Sequence, residues 1–120
     1  MGALYLSAGG RRLVARVWKA TNAWDRLRGL LGRPPLAADE ALLMEPCRLI
    51  HTFGMRYPLD LAFIDRRGRV CKIARDVKPA RFAGAAAAHA TLELPAGALA
   101  ASGLKVGDAI IWGQLSNENT

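Results

Sequence analysis

The sequence has no stretch approaching the roughly 18 apolar residues of a membrane-spanning helix, which argues against a helical anchor. Its two cysteines, Cys47 and Cys71, are too few for a disulfide framework. The opening MGALYLSAGG lacks both a basic start and an apolar run long enough for a secretory signal. Leu6 stands where a myristoylation signal wants Ser or Thr. A cytoplasmic protein with reduced thiols is the expectation. Also missing are GxSxG, HExxH, a phosphate-cradling Walker loop and a Gly-rich dinucleotide fingerprint. The glycines punctuate turns instead. No internal repeat and no linker interrupts the chain, and no cofactor is implied.

What is present describes a single domain over residues 1–120, with a core at about 11–115 and a polar tail at 116–120. A chain of this length buries about two thirds of its surface on folding, enough for a core without disulfides. The composition, 52% hydrophobic and 22% charged, is that of an ordinary globular protein. The net charge of +7 is unevenly placed. Arg66, Arg67, Arg69, Lys72, Arg75, Lys78 and Arg81 are opposed between them only by Asp76. Basicity therefore belongs to one segment.

Periodicity alternates between strand and helix. RRLVARVWKA (11–20) alternates with Leu13, Ala15 and Val17 on one face, which predicts a strand. In TNAWDRLRGLLGRPP the period changes: Trp24, Leu27, Leu30 and Leu31 fall at helical spacing, with Thr21 or Asn22 as N-cap and Gly32 and Pro34 ending the helix. A short strand at Ala41–Glu45 and an extended segment at Arg48–Phe53 follow. LDLAFID (59–65) is apolar on both faces, as a central strand should be. DRRG turns the chain and RVCKIARDVK returns beside it. GAAAAHA is a helical turn or a loop, TLELP a strand, AGALAASG a short helix ending at Gly103, and DAIIWGQL the last strand. The expected fold is mainly β, a compact β-sandwich or open barrel with two or three short helices.

Four segments in this order, RGLLGR (28–33), HTFGMRYPLDLAFID (51–65), LELPAG (92–97) and GLKVGD (103–108), resemble the domain-of-unknown-function family 192. The resemblance covers roughly Leu13 to Trp112 and implies a compact, mainly-β domain. Many such relatives carry a signal peptide, and some are encoded near pilus-assembly or secretion components, which implies a link to such a system.

Several residues invite a chemical role. Cys47, His51 and Met55 are soft ligands at spacings of four, but on a strand four residues span about 13 Å, too far to share an ion. No metal site is expected, and Leu49, His51, Phe53 and Met55 are expected to line the inner face of a strand. A thiol–imidazole pair of Cys47 with His51 or His89 would need the fold to bring them together. Arg28, Arg33 and Arg56, with His51, Thr52 and Asp60 nearby in sequence, could form an anion-binding cleft through the planar guanidinium fork. The alternative is that they form structural ion pairs. The basic segment could track phosphates, yet aromatic residues are not interleaved with its charges, so nucleic acid is disfavoured and edge protection or protein docking preferred. The reading that follows is a non-enzymatic binding or accessory module recognising a small anion or an acidic protein surface, with no membrane partner. A small hydrolase or transferase using the His51 neighbourhood is the alternative, and weak, non-specific nucleic-acid binding through 66–81 comes third.

Overall fold

The computed structural model of the chain describes residues 2–6, 9–10, 12–20 and 35–114. The strands are β1 (Gly2–Leu6), β2 (Arg12–Ala20), β3 (Glu40–Met44), β4 (Leu49–His51) and β5 (Leu59–Ile64). They continue with β6 (Val70–Val77), β7 (Phe82–Gly84), β8 (Ala90–Pro95) and β9 (Ile110–Gln114), and α1 (Ala98–Ser102) lies between the last two. Seven strands form one sheet in the order β6-β5-β8-β3-β2-β1-β9, while β4 and β7 pair as a separate ribbon. Only the β2–β3 contact is parallel among these pairings.

The sheet curls into a half-barrel. At one end its two edges meet: the Val70 N–H bonds the Asp108 carbonyl and the Ile110 N–H bonds the Gly68 carbonyl, each at 2.9 Å. The open barrel is therefore the architecture adopted. Among the described residues there is one helix, α1, rather than two or three, because the alanine run after Gly84 turns instead of coiling. The helix expected across Trp24–Leu31 lies outside the described residues. No helix among those described is long and apolar enough to cross a membrane.

Both faces of the central strands are buried. On β5, Leu59, Leu61 and Phe63 enter one apolar cluster with Leu42, Met44 and Ile50. Ala62 and Ile64 turn the other way, toward Leu43, Leu92 and Leu99. Continuous apolarity is the sequence mark of such a strand. On the inner side the short α1 closes the sheet, anchored by Asp60. This buried carboxylate accepts the backbone N–H groups of Gly97 and Leu99 at 3.0 Å each and that of Asp76 at 2.8 Å. On the other side the β4–β7 ribbon lies over the second cluster through Ile50 and Ala83.

Two expectations change here. On β2 the buried residues are Val14, Val17 and Ala20, not Leu13, Ala15 and Val17. Irregular register against β1, with Gly2 opposite Val17 but Leu4 opposite Val14, inserts a residue and rotates the inward face. On β4 the inner face is also reversed. Ile50 and Thr52 are buried, whereas Leu49, His51 and Phe53 are exposed. β1, for which the opening residues carry little alternation, sits between β2 and β9.

Candidate functional site

Three chain segments meet to form a cleft of about 750 Å³, lined by Pro46–Arg48, Asp65–Arg67 and Ala86–His89. That volume lies within the usual range for small-molecule sites. Backbone hydrogen bonds hold the walls together. The Cys47 N–H bonds the His89 carbonyl at 2.9 Å, and the His89 N–H bonds the Ile64 carbonyl, at the end of β5, at 2.7 Å. The Thr91 hydroxyl donates to the Cys47 carbonyl at 3.1 Å. The Ala85 N–H reaches the Arg48 carbonyl at 3.1 Å.

The third wall is a capped turn. The Asp65 carboxylate accepts the N–H groups of Arg67 at 2.8 Å and Arg69 at 3.0 Å, and Gly68 takes a positive φ of 80° to complete it. A side chain at that position would be strained. The turn projects Arg66 and Arg67 outward, and both are exposed, as is Arg48 across the cleft. His89 is half-buried, its Nε2 3.9 Å from Glu45 Oε2, and that same carboxyl group lies 3.8 Å from Lys19 Nζ.

Charge makes the cleft basic. Among the described residues no carboxylate pairs with Arg48, Arg66 or Arg67. The rest of the basic segment is largely committed. Lys72 Nζ donates to the Gly84 carbonyl at 2.7 Å, Lys78 pairs with Asp76 at 2.7 Å, and Arg69 reaches the Gly107 carbonyl at 3.3 Å. Arg81 folds back on the Pro79 and Ala80 carbonyls, and Arg75 is exposed. All seven lie on the surface, on or beside the edge strand β6, where positive charge deters edge-to-edge pairing.

The residues expected to gather around His51 are placed as follows. Arg28 and Arg33 lie outside the described residues. Arg56 and His51 are exposed, and the His51 ring stands 6.2 Å from Phe53. Asp60 is spent on backbone donors, as described. Thr52 is buried and donates its hydroxyl to the Lys78 carbonyl at 2.7 Å while accepting the Arg81 N–H at 2.9 Å. Thr52 and Asp60 therefore act as internal fasteners. Cys47 and Met55 pack against the second apolar cluster while His51 faces solvent, so the three do not converge. No group of three or more His, Cys, Asp or Glu residues fit to hold a metal occurs among the described residues.

Cys47 and Cys71 are not joined by a disulfide. Burial, and then the nearby Asp65 charge, push the Cys71 thiol above its ordinary value of 9.0. Arg48 is the cleft residue for which the sequence offers no pattern. Its one signal is position, immediately after the Pro46–Cys47 corner that ends β3.

Comparison with known proteins agrees with this architecture. A crystal structure of a protein of unknown function from Novosphingobium aromaticivorans superposes with a TM-score of 0.82 at 27% identity, covering 93% of this chain and 84% of that one. A second, from Sinorhizobium meliloti, belongs to a protein provisionally described as a transcription regulator. It superposes with a TM-score of 0.79 at 24% identity over 92% of this chain and 91% of that one, a likeness that speaks to fold alone. No curated protein matches the chain. The model of the DUF192 family, described as uncharacterized ACR, COG1430, matches residues 4–112, and the chain belongs to that family.

Proposed function

We propose that this protein is a non-enzymatic binding module that takes an anionic ligand in the cleft between Arg48, Arg66 and Arg67. The observation that carries the reading is the set of three arginines without carboxylate partners among the described residues, facing one concavity from two separate walls. Guanidinium groups bind phosphate and carboxylate bidentately, and a preformed frame lowers the ordering cost of binding. The walls are tied by main-chain bonds, so the ligand meets a fixed scaffold and only the arginine side chains must settle. The ligand class is a small phosphate- or carboxylate-bearing molecule, or the acidic group of a protein partner.

Isothermal titration with inorganic pyrophosphate and with citrate tests this. The wild-type chain should bind at least one of them. Arg48→Gln and Arg66→Gln should each weaken binding about tenfold, as losing a charge-assisted hydrogen bond of about 1.5–3 kcal/mol implies. Arg75→Gln, outside the cleft, should leave it unchanged. Equal losses for all three variants would mean diffuse attraction and no site.

A further inference from the structure

Both main-chain polar groups of His89 are held. Its N–H donates to the Ile64 carbonyl at 2.7 Å, and its carbonyl accepts the Cys47 N–H at 2.9 Å. The residue therefore has a fixed place in the wall of the cleft. Its side chain is 32% exposed, and Nε2 stands 3.9 Å from Glu45 Oε2. That carboxylate is shared, because Lys19 Nζ lies 3.8 Å from its other oxygen, Oε1. Lys19 also sits 4.8 Å from the centroid of the Trp112 ring, a second contact for its ammonium group.

The charged groups around this imidazole come from four places among the described residues. Glu45 follows β3, Lys19 lies on β2, Arg48 follows the Pro46–Cys47 corner, and Asp65, Arg66 and Arg67 belong to the turn after β5. Cys47 completes the titratable groups of the lining. Lys19 and the three arginines thus stand against two carboxylates, and that of Asp65 is engaged by the Arg67 and Arg69 N–H groups. An imidazolium here gains one close carboxylate and meets an excess of positive charge. An anion in the cleft reverses that excess. Histidine is the side chain whose charge ordinarily changes between about pH 5 and 8. Resting on the anion-binding reading of the cleft, we infer that His89 is its fourth cationic group, taking up a proton from solvent as the anion binds. Capture is therefore tighter in mild acid, since proton uptake on binding and stronger binding at lower pH are one linked effect.

The test follows the imidazole C–H resonances of the two histidines by NMR through a pH titration of the full chain. It is run alone, with saturating pyrophosphate and, separately, with citrate. His51 is the internal reference, since it stands exposed on β4 and does not line the cleft. His89→Gln keeps both main-chain bonds and assigns the signals. With bound anion the His89 midpoint should rise by about one pH unit, the low end of what an opposite charge within about 4–6 Å produces. The His51 midpoint should stay. The gain in affinity from about pH 8 to about pH 6 should be about tenfold larger in wild type than in His89→Gln, a ratio that removes the ligand's own titration. An unmoved His89 midpoint while the Arg48 and Arg66 amide signals shift would overturn the inference and leave the cleft reading standing. Equal movement of both histidines would mean a general field and overturn it too. Failure of both anions to bind would remove the cleft reading along with it.

Discussion

The backbone N–H of Cys47 bonds the carbonyl of His89 at 2.9 Å, and this bond fastens the corner after β3 to the loop before β8. It is one of the bonds that join the walls of the basic cleft. Arg48 follows the fastened residue directly, while Arg66 and Arg67 come from a turn held by a different group, the Asp65 carboxylate. Arginines distant in sequence thus face one another without any pattern announcing it.

Asp60 should prove to be a fastener of the fold. Its buried carboxylate satisfies three backbone donors, two of them at the start of α1. Asp60→Ala leaves these donors without their acceptor and should cost about 3 kcal/mol. Urea unfolding checks it, with a lower midpoint at unchanged slope as the expected outcome. A loss below about 1 kcal/mol would mean the donors find other partners.

Thr52→Val keeps the shape of the side chain and removes its hydroxyl. The Arg81 N–H would lose its Oγ1 acceptor and the Lys78 carbonyl its donor. Stability should fall by about 1–3 kcal/mol. Amide exchange at Arg81 should accelerate more than exchange on β5, because the loss is local to the 78–81 loop. Uniform acceleration across the sheet would contradict this assignment.

Tyr57 offers a test in alkaline solution. Its hydroxyl is buried with no hydrogen-bond partner among the described residues. Burial, and then the Glu93 charge, raise the phenol above its ordinary value of 10.0. A raised folded value means that the stabilisation is present below about pH 10 and is lost as pH rises through the folded value. Tyr57→Phe should therefore be at least as stable as wild type at pH 7, with a gain of up to about 1 kcal/mol. Its stability should also fall less steeply above pH 10. Superimposable alkaline limbs in thermal melts would refute the effect.

Legibility in the sequence followed the range of the interactions. β5, the Asp65–Gly68 turn, β6 and the Gly103 end of α1 are written in local pattern: continuous apolarity, turn residues, a glycine at positive φ. The inward faces of β2 and β4 are not. Irregular register rotates one, and the other belongs to a ribbon outside the main sheet, whose inner side is chosen by Ile50 meeting the second apolar cluster. Leu49 and Ile50 are equally apolar, so alternation alone selects neither face. Of the cleft, Arg66 and Arg67 stand out as part of the basic segment, and Cys47 and His89 as a candidate thiol–imidazole pair. Arg48 has no such mark. The partners of Asp60 and Thr52 lie 16 to 39 residues away, beyond any periodicity.

Titration of pyrophosphate into the isotopically labelled protein, followed by amide chemical shifts, tests the central claim most directly. The account predicts saturable shifts concentrated at Cys47, Arg48, Arg66, Arg67 and Ala87–His89, the residues that line the cleft. They should be greatly reduced in Arg66→Gln. Shifts spread evenly along Lys72, Arg75, Lys78 and Arg81, or no saturable shift at all, would contradict it.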